Sequence, residues 1–315
     1  MTTLLVSQRN FDAHVTPHGH PERPDRLRAV EEALDHPAFG ALRREDAPSG
    51  DLSLAELVHG PRYLATLRNA RPAEGIGQLD ADTFIASGSL DVCSTGIGAG
   101  LRALDAVLLG EVDNAFCAIR PPGHHAEIDR PMGFCLVNTI AIVAREAQRK
   151  YGAERIAIVD FDVHHGNGTE DIFKDDPSVF YASSHQMPLY PGTGAPSVTG
   201  VGNICNVPLD PHTGGEAMRA AYADVIFPAM ADFAPDLLLV SAGFDADHRD
   251  PLAQLDWLPA DFGWLTARLL EFADRRCGNR LVSLLEGGYD RDGLAEGAAA
   301  HVASLMTGNA APPLR

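Results

Sequence analysis

Residues 156–168, IAIVDFDVHHGNG, constrain the fold of this chain more than any other stretch. The apolar run at 156–159 is typical of a strand buried in a parallel sheet. It leads into Asp160, Asp162 and His164, which share one face if the extended geometry continues that far. Buried charged groups must be paired or bind a metal, so the stretch predicts either a polar strand end that caps the next helix or a metal site.

Segments typical of strands and helices alternate along the rest of the chain. The alternation predicts a single α/β domain over residues 1–315, with a mostly parallel sheet and helices on both faces. Polar clusters follow several strands directly, at the edge where open α/β sheets place their sites. Residues 71–89 are predicted to be irregular. The predicted strands are 2–6, 115–119, 156–159, 179–182, 237–241 and 281–285, and the predicted helices are one from about 25, short ones within 53–70, and 89–109, 137–150, 214–232, 260–275 and 291–306.

The chain is acidic, with 43 Asp and Glu against 25 Lys and Arg and a formal net charge of −18. This balance argues against a nucleic-acid partner, which needs a basic surface. It is compatible with cationic substrates such as lysine side chains or polyamines, and a solvated acidic surface explains it equally well. The 5 cysteines are scattered and form no C-x-x-C pair, which favours free thiols in a reducing compartment. No apolar run predicts a membrane span or a signal peptide, so we expect a cytoplasmic protein without a membrane partner.

Asp162 and His164, joined by Asp245 after a later strand, would offer a metal two carboxylates and one imidazole. Three protein ligands with one open position are typical of catalytic zinc, although such a set also accepts ferrous iron. Taken alone, Asp245 is better explained as a turn residue after Gly243.

A second cluster, His124 and His125, follows two prolines and a glycine. Histidines suit general acid–base catalysis because their ordinary pKa lies near neutrality. Asp160 and Asn167 are candidate partners for the two rings. A carboxylate raises imidazole basicity whereas an amide only orients the ring, so the two histidines should differ in pKa and in role. The alternative is a histidine pair that braces the turn.

Aromatic residues complete the predicted site. Tyr289, after two glycines at the last strand end, could donate a hydrogen bond to a developing oxyanion, or be a half-buried tyrosine at a helix start. Phe134 and Tyr190 lie in glycine-containing loops and could line a narrow channel or belong to the core.

Six motifs follow one another along the chain: RPPGHH at 120–125, GFC at 133–135, VDFDVHHGNG at 159–168, YPGTG at 190–194, AGFDA at 242–246 and LEGGY at 285–289. Together they resemble the zinc-dependent histone deacetylase family, in the family's order and spacing. The early segment HPERPDRL at 20–27 also resembles the family's first active-site loop. The resemblance implies an arginase/deacetylase-like fold and hydrolysis of acyl groups from lysine side chains.

Matching the motifs by position, the resemblance implies a role for each site residue. His125 would be general base and acid, His124 with Asp160 its electrostatic partner, and Tyr289 the donor that polarises the scissile carbonyl. Zinc would lie on Asp162, His164 and Asp245. A structural potassium ion would involve Asp160, Asp162, His164, Ser183 and Ser184. The acyl-lysine channel would be lined by Gly133, Phe134 and Tyr190, with Asp82 and Thr83 at its rim.

Two positions refine the class implied by the resemblance. Asn167 stands where class I members carry Asp, which points to the class II-like branch of bacterial deacetylases and acetylpolyamine amidohydrolases. Leu252 stands where the polyamine-selective branch, typified by the tenth human isozyme, carries a gatekeeper glutamate.

Other functions remain as alternatives. An acetylpolyamine amidohydrolase would use the same metal chemistry, and a catalytically silent acyl-lysine-binding module would lack a catalytic group. A ureohydrolase of the arginase type would need an Asp at Gly166. A homo-oligomer is compatible with each of these.

Overall fold

A parallel sheet of 8 strands forms the centre of the computed structural model, which describes residues 1–310. The strands are β1 (Thr3–Ser7), β2 (Arg43–Asp46), β3 (Ile76–Gln78), β4 (Phe84–Ala86), β5 (Asn114–Ala118), β6 (Ile156–Asp160), β7 (Val179–Gln186), β8 (Ile204–Leu209), β9 (Leu237–Ala242) and β10 (Leu281–Leu285). The sheet order is β2-β1-β5-β10-β9-β6-β7-β8, and β3 and β4 form a separate antiparallel hairpin.

Helices cover both faces of the sheet, as the alternation of segments predicted. They are α1 (Asp25–Leu34), α2 (Tyr63–Ala70), α3 (Ser89–Leu108), α4 (Thr139–Tyr151), α5 (Asn167–Phe173), α6 (Gly215–Ala220), α7 (Phe227–Phe233), α8 (Pro259–Arg276) and α9 (Arg291–Thr307). Along β6, Ile156 and Ile158 pack into the core with α3 and α4, while Ala157 and Val159 pack into the core with α8 and α9. A strand buried on both faces explains the unbroken apolar run.

Three parts of the sequence prediction were wrong. The edge strands β2 and β8 were missed, because β2 carries mostly exposed charged side chains and β8 contains Pro208 and is only half-buried. The region 71–89, predicted as irregular, contains the β3–β4 hairpin. The predicted helix at 214–232 is interrupted by a π-helical turn, Ala221–Ile226.

The predicted free thiols agree with the structure, in which all five cysteines are free and four of them are buried. None of the described helices has the length and apolarity needed to cross a bilayer.

The topology brings the polar motifs together. Strands β5, β10, β9 and β6 are consecutive neighbours in the sheet, and all are parallel. The segments after their carboxyl ends therefore lie side by side at one edge. These segments are residues 119–126, 286–290, 243–250 and 161–166.

Candidate active site

The three predicted metal ligands meet at this edge. Asp162, His164 and Asp245 are buried, and their ligand atoms all lie within 4.8 Å of one another. Nδ1 of His164 is 3.1 Å from Oδ1 of Asp162 and 3.1 Å from Oδ2 of Asp245. Burial, together with the charge of Asp162, raises the pKa of Asp245 to about 7. Two buried carboxylates converging on an imidazole nitrogen fit a divalent cation such as Zn²⁺ or Fe²⁺.

Backbone amides hold these carboxylates in place. The Gly287 amide donates to Asp162 Oδ2 at 2.8 Å, and the Val163 amide donates to Asp245 Oδ1 at 2.9 Å. A side chain at position 287 would collide with both ligands, since its Cβ would lie 2.2 Å from Asp245 Oδ2 and 2.5 Å from Asp162 Oδ2. Gly287, the first glycine of the LEGGY motif, is therefore required because the Asp162 and Asp245 carboxylates lie so close to its backbone.

The prediction that Asp160, Asp162 and His164 share one face assumed that the strand continues to His164. It does not, because β6 ends at Asp160 and the backbone then turns. Asp160 Oδ1 accepts from the Asp162 amide at 3.1 Å, and Asp162 Oδ1 accepts from the His164 amide at 2.9 Å. Consecutive side chain-to-backbone hydrogen bonds thus bring the ligands together.

The two histidines of the RPPGHH motif have different partners and opposite pKa shifts. Nδ1 of His124 lies 2.9 Å from Asp160 Oδ2, and Nδ1 of His125 lies 2.7 Å from Asn167 Oδ1. Burial opposes the charged form of His124, but the nearby Asp162 and Asp160 carboxylates raise its pKa well above the ordinary value. Burial and the charge of His124 lower the pKa of His125 well below it. His124, beside the Asp160 carboxylate, is therefore a cation near neutral pH, and His125, beside the Asn167 amide, is neutral. This is the difference expected from their partners.

A buried carboxylate that sequence reasoning missed supports the histidine segment. Glu286 Oε2 accepts from the Gly123 amide at 2.6 Å and from the His124 amide at 3.2 Å. Burial raises the pKa of Glu286 to about 7. The available signal was its place in the LEGGY motif, immediately after the last strand.

Tyr289 is held by two further groups that sequence reasoning missed. The Arg26 guanidinium lies 4.8 Å from the centre of the Tyr289 ring and donates to the Gly288 and Glu286 carbonyls, each at 2.6 Å. Asp250 Oδ2 accepts from the Tyr289 amide at 2.7 Å. Burial raises the pKa of the Tyr289 phenol well above its ordinary value, so the phenol keeps its proton and can donate it in a hydrogen bond.

One cavity of about 200 Å³ joins the metal group to most of the predicted channel residues. Phe134 and Tyr289 face each other edge-on with ring centres 5.6 Å apart, and His125 meets Tyr190 similarly at 5.2 Å. A groove of about 350 Å³ between α7 and α8 is larger but lies away from these groups. The cavity is lined by Asp82, His125, Gly133, Phe134, His164, Tyr190, Leu252 and Tyr289.

Thr83, predicted at the channel rim, does not line the cavity. It is fully buried, and its hydroxyl oxygen accepts from the Phe134 amide at 3.1 Å. It therefore supports the wall from behind. His20 of the first loop also packs edge-on against Phe134, with ring centres 4.7 Å apart.

Of the residues predicted for a potassium site, Asp160, Ser183 and Ser184 lie on the adjacent strands β6 and β7, whereas Asp162 and His164 follow the end of β6. Asp160 on β6 pairs with Ser183 on β7. The Ser183 hydroxyl contacts His185 Nδ1 and the Ser184 hydroxyl contacts the Tyr222 hydroxyl, each at 3.0 Å. The potassium site stays a prediction.

The histone deacetylase domain model matches residues 20–305, which include every motif described above. The chain belongs to the histone deacetylase family. It is 40% identical over 301 residues to histone deacetylase 10, chloroplastic, of Oryza sativa subsp. japonica, covering 89% of this chain and 68% of that protein. It is 37% identical to polyamine deacetylase HDAC10 of Homo sapiens, covering 93% of this chain and 45% of that protein.

A solved structure has the same fold. The crystal structure of the HDA15 HD domain superimposes with a TM-score of 0.90 and 33% identity, covering 99% of this chain and 90% of that chain. Family membership supports hydrolase activity toward acylated amines. The cytoplasmic location stays a prediction. The rice relative is named as chloroplastic.

Proposed function

We propose that the protein is a metal-dependent deacylase that removes acetyl or related acyl groups from lysine side chains. The main support is the cavity in which the apolar walls Phe134 and Leu252 lead to His125, His164 and Tyr289. Its apolar lining suits the methylene chain of an acyl-lysine. The clustered groups suit the amide bond at its end.

A divalent cation on Asp162, His164 and Asp245, which we propose to be zinc, would supply Lewis-acid polarisation of the amide carbonyl and would lower the pKa of water. His125 is the neutral base that takes a proton from the attacking water and returns it to the leaving amine. The Tyr289 phenol donates a hydrogen bond to the oxyanion as it develops, and the positive charge of His124 stabilises the same negative charge. Asp160 and Asn167 orient the two rings. Potassium near Asp160 is proposed as structural.

Acetylpolyamines are the second substrate class. The net charge of −18 and Asp82 in the cavity would both attract a cationic polyamine. The human relative named as a polyamine deacetylase supports this alternative. Leu252 favours the lysine substrate, because it is an apolar side chain in the cavity and offers no second carboxylate beside Asp82 for a distal ammonium group.

Hydrolysis of acetyl-lysine peptides, longer acyl-lysine peptides and acetylated polyamines, measured side by side, tests the proposal. A hydroxamate, which should bind the metal and stop turnover, serves as the control. We expect peptide turnover that the hydroxamate abolishes. Preferred hydrolysis of acetylpolyamines would replace the substrate class, and no turnover by the metal-loaded protein would favour an acyl-lysine-binding module.

A further inference from the structure

A chain of two hydrogen bonds connects Glu127 to His125 through the side chain of Asn167. Nδ2 of Asn167 donates to Glu127 Oε1 at 2.6 Å, and Oδ1 of Asn167 lies 2.7 Å from Nδ1 of His125. The same Asn167 nitrogen also lies 3.3 Å from the sulfur of Met132, a weak acceptor. Glu127 therefore provides the strong acceptor at one end of this chain.

The direction of the Asn167 amide decides which nitrogen of a neutral His125 carries the proton. With Oδ1 toward the ring, Nδ1 must donate, so Nε2 carries the lone pair. If the amide turned over, its NH₂ group would face Nδ1, and the ring would place its proton on Nε2. That tautomer cannot accept a proton from water at Nε2.

An amide has nearly the same shape in both orientations, so packing alone does not choose between them. A carboxylate does choose, because it only accepts hydrogen bonds. In the reversed orientation, Asn167 Oδ1 would lie against the Glu127 carboxylate at the present 2.6 Å, with two acceptors and no proton between them. This arrangement is repulsive, and the Glu127 side chain is only 24% exposed, which limits relief by water.

We propose that Glu127 is a positioning residue that fixes the direction of the Asn167 amide and, through it, keeps the proton of His125 on Nδ1. The inference rests on the proposed function in assigning His125 Nε2 as the base. Glu127 follows the RPPGHH motif by two residues and touches neither the cavity nor the metal group. An aspartate at position 167 would need no such partner, because a carboxylate accepts from Nδ1 in either orientation.

Exchanging the Glu127 carboxylate and the Asn167 amide tests the proposal. The new amide in Glu127→Gln can either accept from or donate to Asn167, so it no longer fixes the direction of the Asn167 amide. We therefore expect kcat to fall at least about tenfold with little change in KM. Asn167→Asp should also lower kcat, because it sets two carboxylates against each other. In the double variant E127Q/N167D the new amide donates to the new carboxylate, which accepts from His125. Because the carboxylate also raises the pKa of His125, the variants are compared at their own pH optima, where we expect kcat of the double variant to return to within about threefold of wild type. Such a recovery requires strong coupling between the two positions.

Arg130→Gln is the matched control. Arg130 forms the surface ion pair with Glu127, with nitrogen–oxygen distances of 3.1 and 3.2 Å, and does not contact Asn167. Removing it should leave kcat unchanged if only the acceptor at position 127 matters. Metal content should match wild type in all four variants, and the thermal midpoint should match it in all but Asn167→Asp, in which the two opposed carboxylates should lower it.

Imidazole ¹⁵N chemical shifts give a readout that needs no substrate. In wild type, the His125 signals, assigned by their loss in His125→Ala, should show a protonated Nδ1 and an unprotonated Nε2. E127Q should mix the two tautomers, and E127Q/N167D should restore the first. Wild-type kcat in E127Q, a double variant no better than the single ones, or an unchanged His125 tautomer in E127Q would each overturn the inference. Failure of the proposed function would instead appear as a wild-type protein that hydrolyses none of the acylated amines.

Discussion

At the scale of single residues, burial sets opposite protonation states around the same cavity. His125 stays neutral because burial and the neighbouring cation lower its pKa, and Tyr289 stays protonated because burial raises its pKa. A neutral base and a hydrogen-bond donor are the two groups that the proposed hydrolysis needs beside the metal.

Tyr289→Phe should lower kcat by a factor of roughly 100 to 1,000, the usual effect of removing one oxyanion donor. His125→Ala should lose several orders of magnitude because it removes the base. Both variants should bind as much metal as wild type, since neither side chain belongs to the ligand group. Steady-state kinetics and metal analysis of the same samples test this, and activity surviving either change at full metal content would refute the assigned roles.

His301 predicts acid sensitivity of the fold. It is fully buried between the hydroxyls of Thr266 at 2.6 Å and Ser283 at 2.9 Å, and burial lowers its pKa to about 3. As the pH falls below the unfolded value of about 6.5, the unfolded chain binds a proton that the folded one rejects, so stability is lost. The contribution of His301 to the free energy of unfolding should fall by about 2 kcal/mol when the pH is lowered from 7.5 to 5.

Denaturant unfolding at both pH values measures this loss. His301→Gln should reduce the difference in unfolding free energy between pH 7.5 and pH 5 by about that 2 kcal/mol, whatever its effect on absolute stability. His18→Gln, at an exposed loop position, serves as the control and should not change the difference. An equal pH dependence in wild type and His301→Gln would contradict the assignment.

Local sequence could predict the ligands and the histidine pair, but not the residues that hold them. Asp162, His164 and His125 lie in dense polar motifs directly after apolar runs. Glu286 and Arg26 act through contacts across about 160 and 260 residues of chain, which no local pattern encodes. Glu286 nevertheless lies in the LEGGY motif and Arg26 in the HPERPDRL segment.

At the scale of elements, the carboxyl ends of four neighbouring strands form the site, and glycine allows two of them to approach closely. Gly287→Ala should reduce metal affinity at least about tenfold, because its Cβ would displace Asp162 and Asp245. Gly96→Ala is the control, since its nearest neighbouring atom outside its own helix backbone is 3.8 Å away. Metal affinity measured by competition with a chelator tests this, and wild-type affinity in Gly287→Ala would show that the close approach is unimportant.

The segment between β9 and α8 should determine substrate class through Leu252. Leu252→Glu should shift the ratio of kcat/KM for acetylpolyamine over acetyl-lysine peptide by about tenfold toward the polyamine, equivalent to about 1.4 kcal/mol. The cause would be attraction between the new carboxylate and the distal ammonium group. Leu252→Gln, of similar size and no charge, should not produce this shift. Equal ratios in the two variants would exclude charge at this position as the determinant.

Elements were predictable where apolar patterning was strong. β6, β9 and β10 are buried on both faces, so their apolar runs identify them. β2 lies at the sheet edge with the sequence RRED, and its strand conformation comes from pairing with β1, which only the folded chain provides. The same dependence on tertiary pairing hid β8.

At the scale of the whole molecule, the fold class was predictable because alternating strands and helices permit few arrangements. The order of the strands was not predicted, since it depends on long-range pairing. That order places β6 next to β9, and it therefore brings Asp162 and Asp245 together from positions 83 residues apart. The net charge of −18 would add a general attraction for the cationic substrates proposed above.

The metal dependence of the reaction can be tested by titrating metal-free protein with Zn²⁺ while following acetate release from an acetyl-lysine peptide. We predict no turnover without metal, activity that rises and saturates at one equivalent of tightly bound ion, and no recovery in His164→Ala at the same metal concentrations. Full turnover by metal-free protein, or equal recovery in His164→Ala, would contradict it.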